Sequence, residues 1–487
     1  MMYRQSNDSL LAMLSQYVNT NTIPLHMPGH KRKKNRAEYL KTLAAHLDIT
    51  EIPGFDDLHD AEGLLRDSMT LAAQLWGSKR CFYSVNGSTG GILAAIRAAA
   101  GESAEVLVAR NCHKSVYHAI ELCRLTPRYL LPPQDVQFGI CGSLSVQQVR
   151  QAIAKFPNAK VLILTSPTYE GVISDIASIC EAAHQHGVAV IVDEAHGAHL
   201  GVMDGFEGGA IAAGADVVIH SLHKVLPSLT QTAAVHWQGS LVDEKELARQ
   251  MALFQTSSPS YLLMASIDSC VRWIAAEHMT LAKQWQENLS AFHEAILPLQ
   301  KLCVLGYGTP QQTKNGCFWA LDPGKLVVNT FQTNWSGVEL ARRLREDYHI
   351  ETEMAQPRYV VAMTSCCDTR QDLLRFAHAL CELDQIAEKA SAKPVLSTGE
   401  IPKSAYTLAQ AQRANTKLLS LSEAEGCASA AYIWAYPPGI PLLVPGEVIT
   451  VQTINTLKQL QKNGVHLCGL TGTNMDLIQA VDGANAL

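Results

Sequence analysis

Lys224 and Asp193 are the residues whose types and spacing most constrain the chemistry. Lys224 closes Ser221-Leu222-His223-Lys224, just after the apolar run Ala215-Asp216-Val217-Val218-Ile219, which reads as a buried strand. Asp193 follows a second such run, Ala189-Val190-Ile191-Val192, and opens Asp193-Glu194-Ala195-His196. A lysine and an acid at the ends of neighbouring parallel strands suit pyridoxal 5'-phosphate (PLP). The lysine forms a Schiff base with the cofactor, and the acid pairs with its pyridinium nitrogen so that the ring can accept electrons from a carbanion. A carboxylate behind a wholly apolar run is costly to bury unless paired, and a pyridinium N–H is a suitable partner. Ser221 and His223 flank Lys224 closely enough to reach the phosphate and the reacting carbon respectively. The ordinary alternative for both is local hydrogen bonding to backbone.

A phosphate needs its own cradle. Asn86-Gly87-Ser88-Thr89-Gly90-Gly91 lies between an expected strand and an expected helix. Its small residues let backbone N–H groups at the helix N-terminus approach an anion, and Ser88 and Thr89 add hydroxyl donors. The stretch lacks both the GK[ST] ending of a nucleotide loop and the GxGxxG of a dinucleotide site. His113, in Arg110-Asn111-Cys112-His113-Lys114, also follows an expected strand, and an imidazole there could stack on a pyridine ring. Thr165-Ser166-Pro167-Thr168-Tyr169-Glu170-Gly171 either frames the cofactor's edge or is a plain turn. Thr256-Ser257-Ser258-Pro259-Ser260-Tyr261 either caps a helix or reaches a second subunit's phosphate.

The elements that must position these residues alternate regularly from about residue 64. Helical periodicity is expected over Leu64–Trp76, Thr89–Ala100, Ser115–Cys123 and Ile176–His186. Strands are expected at Arg80–Val85, Glu105–Ala109, Val161–Leu164 and Ala233–Trp237, beside the two runs above. Continuous apolar strands alternating with helices imply an α/β fold with a mostly parallel sheet, whose ligands bind at the carboxyl ends of the strands. A long helix from near Asp268 toward Leu297 leads to a smaller α/β domain. The expected division is an N-terminal arm at 1–50, a large cofactor-binding domain at 51–298, a small domain at 299–390 and a C-terminal α+β domain at 400–487. Ser391-Ala392-Lys393-Pro394 reads as a linker, and the prolines of Tyr436–Glu447 exclude a helix there.

Bulk composition excludes several classes. A chain of 487 residues with 47% hydrophobic and 17% charged residues is globular and has room for several domains. A net charge of -6 argues against a nucleic-acid binder, and His30-Lys31-Arg32-Lys33-Lys34-Asn35-Arg36 reads as a solvated or subunit-contacting arm. Thirteen cysteines without CxxC spacing suggest reduced thiols in a cytoplasmic protein and no metal site. Neither a signal peptide nor a membrane-spanning run is expected.

Taken together, these stretches resemble the Orn/Lys/Arg decarboxylases, PLP-dependent enzymes of the aspartate-aminotransferase fold (fold type I). The matching residues are Pro24–Lys31, Thr50–Gly54, Val85–Gly91, Ser166–Gly171, Asp193–His199, Ser221–Lys224, Thr256–Tyr261 and the Pro/Gly motif Tyr436–Pro441. The resemblance implies α-decarboxylation of lysine, ornithine or arginine to a diamine or agmatine, as part of polyamine biosynthesis. It gives Lys224 the Schiff base, Asp193 the pyridinium and His113 the ring face. Ser88, Thr89, Ser221 and His223 would lie on the phosphate side. Thr256 would reach a neighbouring subunit's cofactor, which implies a homodimer or higher homo-oligomer. The chain resembles the short form, without a receiver-like wing domain. His196 stands where long members tend to carry a bulky aromatic residue, so the pocket wall differs. Glu353 and Glu447 are candidate partners for the substrate's distal cation. An aminotransferase or lyase of the same fold is the alternative.

Overall fold

The computed structural model describes residues 9–20, 27–28, 30–31, 43–135, 137–307, 317–390, 401–435 and 439–482. Half of the Pro24–Lys31 motif, the basic residues 32–36, the 391–394 linker and Tyr436–Pro438 lie outside the described residues. The chain forms two compact units, one of residues 1–99 with 191–283 and one of 100–190 with 284–487. The strand Ala189–Asp193 is divided between them.

In the first unit the strands Arg80–Ser84, Ala233–Trp237, Val217–Ser221 and Ala189–Asp193 lie side by side in that order. Val217–Ser221 is parallel to Ala189–Asp193 and antiparallel to Ala233–Trp237, which is the strand running against the others. Apart from exposed Arg80 and half-buried Trp237, the residues of these strands are buried, as expected of a sheet covered on both faces. The strand expected at Ala215–Ile219 instead runs Val217–Ser221. Ala215 N–H is taken by the Ala210 carbonyl, and the Asp216 carbonyl accepts from Gln238 and Gly239, so both residues belong to the approach. The register extends through His220 and Ser221 because these polar residues pair with Ala234 and Ala233. Lys224 therefore sits on the one-turn helix Leu222–Val225.

Buried Asp268, on the long helix Tyr261–Ala295, ties the unit together. It accepts from Leu10 N at 2.9 Å, Ser68 Oγ at 2.6 Å and Arg272 Nε at 2.8 Å. The helix Leu64–Trp76 matches the expected span. The Asp56 carboxylate accepts the N–H groups of Glu62, Gly63 and Leu65 at its start, so part of the acidic loop serves as a cap.

In the second unit the start of the strand at 189 is followed by Val161–Thr165, Glu105–Ala109 and Thr126–Leu130. The last three are mutually parallel. An antiparallel sheet follows, with Met354–Ala355, Tyr359–Met363, Lys325–Asn329 and Cys303–Val304 in that order. The C-terminal segment has its own core, in which Ile433, Leu443, Ile449, Leu457, Leu467 and Ile478 pack together. Ile440–Leu443 is a strand, in keeping with the exclusion of a helix by its prolines.

All thirteen cysteines are free thiols. Among the described residues no helix is long and apolar enough to cross a membrane.

Candidate active site

Strand register gathers the site in the first unit. Ser84 pairs with Ala233, Ala233 pairs with Ser221, and Asp193 pairs with Ile219. The loop at 85–91, the Asp193–His196 turn and the Ser221–Lys224 segment therefore leave the sheet along one edge. This edge is formed by the carboxyl ends of the parallel strands, where ligands of such sheets bind.

Lys224 Nζ lies 3.0 Å from His196 Nε2. The ammonium donates, so His196 presents a lone pair and orients the lysine. Buried Asp193 accepts the Ala195 N–H at 3.2 Å. Burial pushes its carboxyl above the usual range, opposed by the Lys224 charge and the Ala195 bond. Such a carboxylate is stabilised by a further cationic donor, which a pyridinium N–H supplies. His223 Nδ1 lies 3.0 Å from the Thr232 carbonyl, which can only accept. The proton is therefore on Nδ1, and Nε2 carries the lone pair. Burial lowers the His223 pKa, and Lys224 lowers it further against the Thr232 bond.

The anion end is equally defined. Ser221 Oγ is buried and has no hydrogen-bond partner among the described residues. The helix Gly87–Ala100 begins at the expected cradle, with Ser88 half-buried and Thr89 exposed in its first turn. Those first N–H groups have no partner inside the helix. Gly87 sits at φ 68°, and a Cβ on Gly91 would come 2.5 Å from Val235 Cγ2, so both glycines are required by the backbone path. Asn86 Nδ2 donates to the Phe254 carbonyl at 3.1 Å and fixes the loop. An orphaned buried hydroxyl, a helix N-terminus at the same sheet edge, a buried acid and an oriented lysine together fit PLP.

Thr256 is exposed, and its carbonyl accepts from His59 Nε2 at 2.8 Å. In the second unit, His113 is the N-cap of the helix Lys114–Leu122. Its Nδ1 faces Ser115 Oγ at 2.8 Å and accepts the Ser115 N–H at 3.3 Å. The proton is therefore on Nε2.

Behind Asp193 lies a buried polar group that sequence reasoning passed over. Glu194 Oε1 accepts the Ala210 N–H at 2.9 Å, and Oε2 lies 2.8 Å from His220 Nε2. The His220 ring is 4.8 Å from that of His236, Trp76 packs on both, and Ser78 Oγ meets His236 Nδ1 at 3.0 Å. The only hint in the sequence was a histidine at the end of an apolar strand. Burial drives Glu194 well above, and His236 well below, their ordinary values. It pushes His220 down to about 3, and the charge of His199 acts in the same direction. A histidine with a depressed folded pKa contributes its full stability above its unfolded pKa and loses it as the pH falls. The window runs from about 6.5 down to the folded value. Wild type and His220→Asn should therefore converge by about 2 kcal/mol in unfolding free energy between pH 7 and pH 5. Denaturant titrations at the two pH values measure this, and a constant gap would exclude a neutral His220.

The decisive comparison follows this geometry. The family model of the Orn/Lys/Arg decarboxylase major domain matches residues 9–335, and that of the C-terminal domain matches 384–474. The chain belongs to the Orn/Lys/Arg decarboxylase family. It is 29% identical over 493 residues to the arginine decarboxylase of Bacillus subtilis, covering 99% of each chain. Among solved structures, a lysine decarboxylase of Francisella novicida superposes with a TM-score of 0.84 at 18% identity, covering 98% of this chain and 81% of that one. The E. coli constitutive lysine decarboxylase gives 0.81 at 19%, covering 97% and 82%. The fold is thus the α/β architecture of fold-type I PLP enzymes, and the chain is an enzyme that decarboxylates basic amino acids.

Within this Orn/Lys/Arg decarboxylase, the two candidate partners for a substrate cation lie in different surroundings. Glu447 is fully buried, and Oε2 is already held by Arg110 Nη2 at 3.1 Å and Val444 N at 2.9 Å. Its charge is paired with Arg110 inside the second unit through Oε2, while Oε1 is buried and has no hydrogen-bond partner among the described residues. Glu353 is exposed and accepts from the Tyr169 hydroxyl. The Thr165–Gly171 turn carries buried Glu170, bonded by Tyr359 OH at 2.8 Å and Thr168 Oγ1 at 3.1 Å.

Proposed function

We propose that this enzyme uses PLP held on Lys224 to α-decarboxylate arginine in preference to lysine and ornithine, releasing agmatine and carbon dioxide. The observation that carries the cofactor assignment is the single sheet edge bearing Lys224, buried Asp193 and the orphaned Ser221 hydroxyl. Arginine is favoured because bacterial relatives similar in sequence over nearly the whole chain carry the name arginine decarboxylase, whereas the sequences of the named lysine decarboxylases align over only about half of it, although their folds superpose throughout.

PLP, when bound, supplies the conjugated ring that takes up the electron pair left as the Cα–carboxylate bond breaks. Asp193 holds the proton on the ring nitrogen, and its burial makes that ion pair strong. Ser88, Thr89 and Ser221, with the backbone N–H groups of Ser88 and Thr89 at the start of the Gly87–Ala100 helix, would hold the phosphate. By the family resemblance His113 would take the ring face, and His196 walls the site while directing Lys224 Nζ. His223 offers Nε2 as an acceptor, which leaves the Lys224 ammonium to deliver a proton to Cα. Thr256 contacts the cofactor of a neighbouring copy, so the working unit is a homodimer. The chain is read as an arm at 1–50, the cofactor domain at 51–298, the small domain at 299–390 and the C-terminal domain at 400–487. The setting is cytoplasmic polyamine synthesis.

Relative kcat/KM on the three amino acids tests the proposal. Arginine should exceed lysine and ornithine by at least about ten-fold, since a site shaped for a planar guanidinium leaves polar groups unpaired around an ammonium. Preference for lysine would overturn the substrate assignment, and an α-keto acid product the reaction itself.

A further inference from the structure

The second unit contains a cavity of about 320 Å³ lined by Arg358, Phe331, Trp335, Glu170, Thr456 and Asn463, among others. Two of its lining residues are arginines in opposite circumstances. Arg110 is saturated, donating to Tyr117 OH, the Pro441 and Leu442 carbonyls and Glu447. The Arg358 guanidinium is not. Its Nε and Nη1 are buried and find no acceptor among the described residues. Its guanidinium carbon stands 6.0 Å from the Phe331 ring centroid, a contact that leaves the N–H groups unsatisfied. Burial lowers its pKa, and the charge of Asp135 opposes this. Asp135 Oδ1 is itself occupied by the N–H groups of Gln137 and Phe138, at 3.0 Å and 2.6 Å.

Two buried guanidinium N–H-bearing nitrogens without an acceptor are costly, and an anion reaching them offsets that cost. The shape and lining of the cavity narrow the choice. A planar guanidinium favours a planar carboxylate. Phe331, Trp335, Phe138 and Leu460 offer apolar surface for a short carbon body. The Glu170 carboxylate, which also lines the cavity, opposes a second negative charge.

We propose that Arg358 anchors a binding site in this cavity for a small monocarboxylate with a short apolar body. The carboxylate comes either from the amino-acid substrate or from a separate metabolite.

Butanoate is a suitable probe, because it lacks an amine and cannot condense with a cofactor aldehyde. Trp335 is a built-in reporter. Titrating the cofactor-loaded enzyme with butanoate should give a saturable change in tryptophan fluorescence, which sodium chloride or butylamine at equal ionic strength does not reproduce. Arg358→Gln should weaken binding about ten-fold or more, the worth of a charge-assisted hydrogen bond. Arg358→Lys keeps the charge without the planar fork and should bind at an intermediate strength, which carries the test if the glutamine variant fails to fold. Trp335→Phe should lose the fluorescence signal while butanoate still raises its melting temperature. Competition then identifies the source. A raised KM with unchanged kcat assigns the site to the substrate's own carboxylate, and an altered kcat assigns it to a separate metabolite. Non-saturable binding, or equal binding by wild type and both Arg358 variants, overturns the proposal.

Discussion

Alanine in place of Lys224 is expected to yield a folded protein without the visible absorbance of lysine-bound PLP, with turnover reduced by at least about 10⁴-fold. The side chain is half-buried on a one-turn helix whose core contacts are made by Leu222 and Val225, so truncating it costs little stability. What disappears is the amine held 3.0 Å from His196 Nε2 at the carboxyl edge of the sheet. Without it the cofactor is retained only by its phosphate and ring contacts. The proton that Nζ would deliver to Cα must then come from a water or from a histidine whose pKa burial has lowered. Absorption spectra of protein purified with excess PLP, together with carbon dioxide release from arginine, measure both effects. A Lys224→Ala protein as yellow and as active as wild type would remove Lys224 from the site, and with it the role of Asp193.

Much of this site was legible because its chemistry sits at strand ends. An acid directly after Ala189–Val192, and a lysine soon after a second apolar run, are placed by hydrophobic pattern alone, and the parallel register does the rest. Leu64–Trp76, Glu105–Ala109 and Ala233–Trp237 coincide with the observed elements for the same reason, since each is bounded by an abrupt change in pattern. Pattern failed where polar residues are buried in pairs. Glu194, His220 and His236 read individually as ordinary polar residues, and only their convergence in space makes them a unit. The same holds for Glu447, which looked like a free carboxylate because its partner, Arg110, is remote in sequence. Apolarity also misplaced the Ser221 strand by two residues, because it marks burial and not hydrogen-bond register.

That remote pair supports the second large effect. Glu447→Ala should destabilise the protein by about 3–5 kcal/mol, the typical cost of leaving one member of a buried ion pair without its partner. Glu447 is fully buried, and Arg110 is nearly so. Burial pushes the Glu447 carboxyl up, while Arg110 and the Val444 N–H pull it back. With alanine, Arg110 keeps its bonds to Tyr117 OH and the Pro441 carbonyl, both at 2.8 Å, but none of these acceptors carries a compensating charge. The Val444 N–H also loses its acceptor, next to a strand that supplies Leu443 to the C-terminal core. Lys114 N still donates to the Gly439 carbonyl at 3.0 Å, and Tyr432 OH still meets Glu121 at 2.7 Å. These contacts hold the C-terminal segment against the Arg110–Leu122 stretch without bearing on the charge left at Arg110. The double variant Arg110→Met/Glu447→Leu separates charge from packing. Replacing both members by apolar groups should recover most of the loss, because the cost lies in the uncompensated charge and not in a net attraction. Guanidinium denaturation of the single and double variants decides the matter. A double variant no more stable than Glu447→Ala would show that Arg110 acts through its carbonyl and tyrosine bonds, with the carboxylate contributing little.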